Sequence, residues 1–393
     1  MIEYKSAAFY RSCFALCLAA MVVFANLHLL QPLLPELSRY YQLTPLQVSW
    51  SYTIGTLCLG LSLLVYASIS DALGRKNLLL LTLGGMTLST LALTQVESFQ
   101  ALLWWRAIQG LCLGGLPALA IAWMGEEYST PALVTAVGYY ISANSLGGIS
   151  GRLMAGGLAE LGHWQWVFWP MALLSALSLY FIWRYLPVSA YFQPRPFSLS
   201  TALSAHWRHL QQPLLLLTYL IGGLNFLIFL NQYTYMGFLL SATPYQLSSG
   251  MIGLLFISYF TGTIGSAYSA RIARRLTAIG GMASGIGIMM LGSLLTLSPQ
   301  LPVLLSGLFV SAFGFFLCHS LASSWVNQHA NTNKASASAL YLVFYYVGAS
   351  IGGIYLQPFW QWSGWSGVVL GSIAMYSLTL LLVWQLWLRR HRH

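Results

Sequence analysis

Charged residues are scarce in this sequence of 393 residues. Asp, Glu, Lys and Arg together make up 6% of the chain, whereas a soluble domain usually carries about 25%. Hydrophobic residues make up 58%. So little charge cannot cover a surface exposed to water, and this excludes an ordinary soluble protein.

Cysteine is also rare, and its positions indicate no metal or redox chemistry. The five cysteines lie in apolar segments and show neither metal-ligand nor Cys-x-x-Cys spacing: Cys13, Cys17, Cys58, Cys112 and Cys318. We interpret them as small buried hydrophobic residues. The apolar segments also lack a Ser-His-Asp set, paired carboxylates and His-rich metal spacing. We therefore predict that the protein is not an enzyme and binds no metal or cofactor.

Apolar runs of roughly 20 residues recur along the whole chain, and each is long enough to cross a hydrocarbon core of about 30 Å. Strands of about ten residues with alternating polarity, which mark an outer-membrane barrel, are absent from the pattern. The first run, from Ser12 to Pro35, is too long for the apolar region of a signal peptide, so we expect a retained span. The pattern predicts an all-α membrane protein.

We predict twelve transmembrane helices. Their approximate spans are 12–35, 47–70, 77–96, 100–123, 133–158, 163–186, 213–240, 248–270, 278–297, 301–326, 336–357 and 365–388. The longest polar interval, 187–212, contains three prolines and is typical of a cytoplasmic linker. It divides the chain into an N-terminal six-helix bundle, 1–186, and a C-terminal six-helix bundle, 213–393.

The positions of the basic residues indicate the orientation of the chain. Lys and Arg outnumber Asp and Glu by 17 to 7. With the N-terminus inside, nearly all of them fall on the cytoplasmic side, and Arg39 lies outside. The positive-inside rule therefore predicts that both termini are cytoplasmic. It also explains the basic charge by topology and anionic lipid headgroups rather than by nucleic acid. We expect a bacterial inner membrane.

The two halves of the chain resemble each other. Ser145–Ile149 in the fifth span matches Ser350–Ile354 in the eleventh, and the basic turn with Arg75 after the second span recurs with Arg274 and Arg275 after the eighth. Both matches keep the same order in both halves. Parallel repeats of six helices, related by an axis along the membrane normal, are a known arrangement of transporters.

The loop over 67–76 reads Ala-Ser-Ile-Ser-Asp-Ala-Leu-Gly-Arg-Lys. It resembles a signature of the major facilitator superfamily, although alanine replaces a glycine at its start and an arginine after the aspartate. The resemblance implies a conformational latch with its turn at Gly74. In this latch Asp71 faces a helix N-terminus, while Arg75 and Lys76 meet helix carbonyl ends. A glycine stop followed by basic topology residues is the alternative.

The fourth span resembles a second signature of this superfamily, which is associated with proton-coupled members. The matching residues are Leu102, Arg106, Gln109 and Gly110. An Arg and a Gln three residues apart share one helix face, so both are able to donate hydrogen bonds into a cavity. An interior arginine kept only for structure is the alternative.

The fifth span resembles the glycine-rich antiporter signature of the exporter branches. Its glycines are Gly138, Gly147, Gly151 and Gly156, and Arg152 replaces the proline of the signature. Small residues at this spacing permit close helix packing, which we predict for these four. The resemblance covers the whole chain and implies the superfamily fold of two six-helix bundles, which work by alternating access to a site at the midplane.

In that fold helices one, four, seven and ten line the cavity. With the arginine of the fifth span, the predicted substrate-binding residues are Asn26, His28, Gln31, Arg106, Gln109, Arg152, Asn225, Asn231, Gln232, Tyr233 and His319. Arg106, Arg152 and His28 lie at similar depth, roughly 9 to 11 Å below the outer surface, so they are able to converge. No Asp or Glu lies in the middle of a predicted span. The predicted cavity is therefore net positive and suits an anionic or neutral polar substrate better than a cationic drug.

Proton coupling needs a carrier, and no membrane carboxylate is present to serve as one. We predict His28 as the first candidate and His319 as the second, with Arg106 beside them. Nearby guanidinium charges disfavour a protonated His28 and a bound anion favours it, so substrate and proton are expected to bind cooperatively. A histidine that only hydrogen-bonds its neighbours is the alternative.

These features predict a monomeric secondary active transporter that exports a small organic metabolite or xenobiotic by proton antiport. Its expected partners are the substrate, protons and membrane lipids, and the proton gradient is its energy source. An uptake symporter of the same fold and a lipid transporter are the alternatives. Arg106→Ala and Arg152→Ala are each expected to abolish transport and to leave expression intact.

Overall fold

The structure, a computed structural model, describes residues 1–188, 199–330 and 334–390. Helices account for nearly all of these residues, and no β-strand occurs in the described ranges. An isolated bridge joins Ile2 and Tyr128. The prediction of an all-α protein is confirmed.

Contacts divide the chain into two compact units. The first comprises Met1–Ala202 and Ser248–Leu254, and the second comprises Leu203–Leu247 and Leu255–His393. The predicted linker, 187–212, falls partly outside the described residues, and its limits stay a prediction.

The first unit contains the eight α-helices that precede residue 188. They are α1 (Ala7–His28), α2 (Leu34–Tyr41), α3 (Pro45–Leu73), α4 (Arg75–Leu93), α5 (Phe99–Leu113), α6 (Gly115–Glu127), α7 (Thr130–Ala159) and α8 (Phe168–Tyr185). The local sequence explains several helix starts. Thr44 and Gln47 form a capping box at α3, with Pro45 at the first helical position. A 3-10 turn over Gln31–Leu33 links α1 to α2.

Six further α-helices follow residue 198 in the described chain. They are α9 (Leu199–Leu210), α10 (Pro213–Ser241), α11 (Ser249–Leu254), α12 (Tyr259–Leu295), α13 (Leu301–His329) and α14 (Lys334–Arg390). The short helix α11 belongs to the first unit, whereas α10, α12, α13 and α14 belong to the second.

Nine helices in the described part of the chain are long and apolar enough to cross a membrane, and the predicted count of twelve is not confirmed. Two of the nine, Ser249–Leu295 and Ser336–Arg390, each cover two predicted spans. Both contain residues with non-helical backbone angles, namely Thr277 in α12 and Ser363 with Gly364 in α14. The predicted fifth span is the 30-residue helix α7. It is not one of the nine, because its glycines, serines and single arginine lower its hydropathy.

Glycines allow α7 to approach α1 closely. A Cβ atom at Gly147 would collide with the backbone of Met21, and one at Gly151 would lie 2.5 Å from the Cα of Ala25. A Cβ at Gly156 would lie 2.5 Å from the carbonyl oxygen of Ser249, the first residue of α11. Gly138 differs, because within the described chain no heavy atom beyond its neighbouring residues and the adjacent backbone of its own helix lies within 4 Å of its Cβ position. The packing role predicted for Gly138 is therefore not found.

Gly147→Ala is expected to destabilise the protein by about 1–3 kcal/mol, because the added methyl group forces α1 and α7 apart. Gly138→Ala is the matched control on the same helix. It is expected to be neutral or to stabilise by up to about 1 kcal/mol, since alanine favours helix. Thermal unfolding of the purified variants in one detergent checks both values, and equal melting temperatures for the two variants would contradict the packing account.

Candidate functional site

Arg106 on α5 holds the C-terminal end of α1. Its guanidinium donates to the carbonyls of Asn26 (2.9 Å), Leu27 (3.0 Å) and, on α3, Ser51 (3.1 Å). Because α1 ends at His28, the carbonyls of its last turn lack partners within the helix. A positive charge at this end also interacts favourably with the helix dipole. Arg106 therefore caps α1.

Amide side chains complete this network. Gln109 accepts a hydrogen bond from Arg106, and its Nε2 donates to Asn26 Oδ1 (3.1 Å) and Thr90 Oγ1 (2.7 Å). Asn26 Nδ2 in turn donates to Ser175 Oγ on α8 (3.0 Å). Asn26, Arg106 and Gln109 are all fully buried. In this structure they bind one another and the end of α1, and their predicted roles in substrate binding stay predictions.

Arg152 on α7 binds the segment that follows α1. Its Nε and Nη2 donate to Gln31 Oε1 at 3.0 and 2.8 Å, and its Nη1 donates to the carbonyl of Gly148 at 2.9 Å. Its Nη2 also lies 3.1 Å from Nδ1 of His28. The structure thus brings together three residues that the sequence analysis predicted at one site. With Tyr52, they form what we call the Arg152 cluster: Arg152, His28, Gln31 and Tyr52.

The glycines around Arg152 explain how this side chain reaches α1. Gly151 precedes it and permits the close approach of α7 to Ala25. A Cβ at Gly148 would lie 3.5 Å from both Nη1 of Arg152 and Cδ2 of His28, so this residue borders the cluster. The glycine-rich sequence therefore lets α7 lie close enough to α1 for the guanidinium to contact the end of that helix.

His28 Nδ1 has two polar neighbours in the Arg152 cluster. The hydroxyl of Tyr52 lies at 2.8 Å and Nη2 of Arg152 at 3.1 Å. A guanidinium only donates hydrogen bonds, so Nδ1 accepts from Arg152, and a neutral ring then carries its hydrogen on Nε2. If Nδ1 took up a proton, its N–H group would point at the N–H group of Arg152 Nη2. The contact between His28 and Arg152 would then break. His28 is 9% exposed and Arg152 1%.

Three predicted polar residues of the second unit do not converge. Asn231, Gln232 and Tyr233 are consecutive on α10, and successive residues of an α-helix point about 100° apart. Asn231 donates to a backbone carbonyl of α14 (2.8 Å), Gln232 donates to a serine of α12 (2.8 Å), and the Tyr233 hydroxyl lies 2.6 Å from the serine that precedes α12. Each of the three side chains thus binds a different part of the second unit, and their predicted roles in substrate binding stay predictions.

His319 and Asn225 lie in an aromatic region of the second unit. Nδ1 of His319 lies 2.9 Å from the hydroxyl of Tyr341, and its ring centroid lies 4.8 Å from that of Tyr345. Asn225 donates to Cys318 Sγ (3.3 Å), and its Oδ1 is buried without a hydrogen-bond partner in the described chain. Their predicted roles in substrate binding, and in proton coupling for the histidine, stay predictions.

The basic turn between α3 and α4 binds groups of its own unit. Gly74 has a φ of 85°, which favours glycine. Nε of Arg75 donates to both carboxylate oxygens of Glu126 at 2.8 Å, and the contact with a helix end that was predicted for this arginine stays a prediction. Lys76 donates to two carbonyls at the end of α8, at 3.1 and 2.5 Å, and its predicted role in a latch stays a prediction. The side chain of Asp71 lies outside the described residues.

Comparisons with known proteins agree with this architecture. The family model of the Major Facilitator Superfamily matches residues 16–353. The MFS-type transporter YybF of Bacillus subtilis is 35% identical over 380 residues, which cover 97% of this chain and 93% of YybF. The inner membrane transport protein YnfM of Escherichia coli is 35% identical over 386 residues, which cover 98% of this chain and 92% of YnfM.

A solved structure shows the same fold. The crystal structure of a D-xylose-proton symporter has a TM-score of 0.74 to this chain at 13% identity, and the alignment covers 97% of this chain and 98% of the symporter. At this level of identity the likeness shows the fold alone. The family match and the two relatives carry the assignment: this chain belongs to the Major Facilitator Superfamily and is a secondary transporter.

Proposed function

We propose that this transporter carries a small organic anion together with a proton, and that both bind at the Arg152 cluster. The observation that supports the proposal is the contact between Arg152 Nη2 and His28 Nδ1 at 3.1 Å. In the absence of substrate, this contact uses one guanidinium N–H group and keeps a proton off Nδ1. The same two side chains are therefore able to sense the substrate and the proton.

An anion and a proton would favour each other at this cluster. A carboxylate bound to Arg152 withdraws the guanidinium from Nδ1, so that the ring is able to accept a proton and to donate to the Tyr52 hydroxyl at 2.8 Å. The new positive charge on His28 then attracts the anion in turn. Because linkage is reciprocal, each ligand raises the affinity for the other by the same factor. This arrangement favours symport.

The charge of the substrate follows from the side chains that are present. Arg152 offers the planar fork of donors that suits a carboxylate. The sequence contains no Asp or Glu after Glu160, so the helices of the second unit contribute no carboxylate that would balance a cationic substrate. A positively charged drug would have to lose its hydration beside a guanidinium, which is unfavourable in a low-dielectric site.

Export by proton antiport is the second candidate. It is supported by the glycine pattern of α7, which resembles the signature of exporter branches. Antiport requires that proton and substrate exclude each other, whereas the contacts of His28 favour their joint binding. We therefore put uptake by symport first. We also propose an inner-membrane location, which is supported by the name of the E. coli relative, an inner membrane transport protein.

Membrane vesicles of both orientations test the proposal. Vesicles from cells that produce the protein are given an inward-directed proton gradient and a panel of radiolabelled carboxylates, namely benzoate, lactate and succinate. We expect right-side-out vesicles to accumulate at least one of them beyond the passive uptake of the neutral acid in vesicles that lack the protein, and we expect this excess to disappear after a protonophore is added. Accumulation in inside-out vesicles that requires an acidic lumen, with protons leaving as the anion enters, would favour export by antiport, and no proton-driven accumulation in either orientation would contradict coupling to these anions.

A further inference from the structure

A pair of thiols lies on α1, more than two helical turns before the Arg152 cluster. Cys13 and Cys17 are four residues apart and therefore share one face of the helix. Their sulfur atoms lie 4.0 Å apart, and both cysteines are free. Neither residue takes part in the function proposed above.

The distance between the two sulfur atoms suits a single atom that bridges them. Thiolates bound to a tetrahedral zinc ion at about 2.3 Å stand about 3.8 Å apart, close to the separation in this structure. A disulfide would need the sulfurs to approach to about 2.05 Å, which requires a much larger movement of two residues fixed on one helix. The pair is therefore better arranged for bidentate binding of a thiophilic centre than for oxidation to a disulfide.

The thiols border a groove between α1 and α7. Its volume is about 410 Å³, and its walls are almost wholly apolar. Phe14 of α1 and Tyr139 and Leu146 of α7 line it together with the two cysteines. Cys13 is 6% exposed. Because this residue lines the groove, a ligand would reach its thiol through the groove. A ligand held by both sulfurs would lie beside aromatic and aliphatic side chains.

The number of ligands distinguishes between thiophilic centres. No group of three or more His, Cys, Asp or Glu that could hold a metal ion occurs in the part of the chain that the structure describes, whereas a protein zinc site needs three or four ligands. A trivalent arsenic atom with one organic substituent needs only two thiolates. Soft thiolate ligands favour soft centres of this kind.

We propose that Cys13 and Cys17 form a dithiol site for monosubstituted trivalent arsenicals, with the organic substituent in the groove between α1 and α7. With phenylarsine oxide, two S–H bonds break, two As–S bonds form, and the oxygen leaves as water with both thiol hydrogens. No atom is oxidised or reduced. The site would make the transporter sensitive to arsenicals independently of its substrate.

Intact mass spectrometry of the purified protein with phenylarsine oxide tests this site. We expect one phenylarsenic group per chain, with loss of two hydrogens. Cys13→Ser and Cys17→Ser should each abolish stable attachment, whereas a variant with serine at Cys58, Cys112 and Cys318 should retain it. Attachment that survives either single substitution, or that is lost in the triple variant, would overturn the proposal.

Two measurements on the unaltered protein keep the test independent of variant folding. Peptide mapping should locate the arsenic on the segment that contains Cys13 and Cys17. The adduct should persist in glutathione and be removed by 2,3-dimercaptopropanol, because only a second dithiol competes with bidentate attachment. Removal by the monothiol alone, or mapping to another cysteine, would show that the pair does not act as one site.

Discussion

Arg152→Ala is expected to abolish proton-coupled transport while the protein still folds and reaches the membrane. The substitution removes the donors to Gln31 and the carbonyl of Gly148 and the contact with His28. The carbonyl of Gly148 lies inside α7, and His28 Nδ1 keeps the Tyr52 hydroxyl as a neighbour, so the lost hydrogen bonds cost little, and the loss of a buried charge offsets part of this cost. Carboxylate uptake per folded molecule, with folding assessed by size-exclusion chromatography, measures the effect.

Arg152→Lys is the matched control for this prediction. Lysine keeps the charge but lacks the planar fork, so it cannot bind a carboxylate and Gln31 in the same way. We expect transport by this variant to fall at least about tenfold, which corresponds to about 1.4 kcal/mol of binding free energy. Full transport by the alanine variant would show that Arg152 serves only to pack α7 against α1.

Arg106→Ala is expected to cause the largest loss of stability of any single substitution considered for this chain. Arg106 donates to three backbone carbonyls, those of Asn26, Leu27 and Ser51. The carbonyls of Asn26 and Leu27 belong to the end of α1, and a buried carbonyl without a partner costs about 1–3 kcal/mol, so the total is several kcal/mol and α1 loses its cap. The expected loss of stability differs from the expectation from sequence, in which expression stays intact. The yield of folded protein and its melting temperature measure the effect.

Gly55→Ala supports the same account without removing the arginine. A Cβ atom at Gly55 would lie 2.9 Å from Nη2 of Arg106, so the alanine displaces the guanidinium and should lower the melting temperature by a smaller amount. If the Arg106→Ala variant had the same melting temperature as the unaltered protein and lost only transport, Arg106 would act on the substrate directly. The capping role would then be wrong.

The sequence predicted the parts of the site that depend on helix periodicity and depth. Counting residues from the outer ends of the spans brought His28 and Arg152 to one level, and the structure puts them in contact. The glycines at 147 and 151 signalled a close approach of two helices, which makes that contact possible. The family fold followed from the loop and helix motifs taken together.

The sequence could not predict the partners of Arg106, because they are mostly backbone carbonyls and these leave no residue signature. It also missed Thr90 and Ser175, which complete the network around Asn26. Serine and threonine in apolar helices most often bond to the carbonyl one turn earlier, so nothing in the sequence distinguishes the two that also reach another helix. The sequence pattern alone also does not separate the consecutive polar residues on α10, which helix geometry turns toward different neighbours.

The pH dependence of anion binding tests the central claim most directly. Affinity of the purified protein for a transported carboxylate is measured from about pH 8 to about pH 5.5, a range in which histidine usually titrates. Joint binding of proton and anion predicts that affinity rises as pH falls, and that His28→Gln removes this dependence. An affinity that is constant or falls toward low pH in the unaltered protein, or an unchanged dependence in His28→Gln, would contradict coupling through the contact between Arg152 and His28.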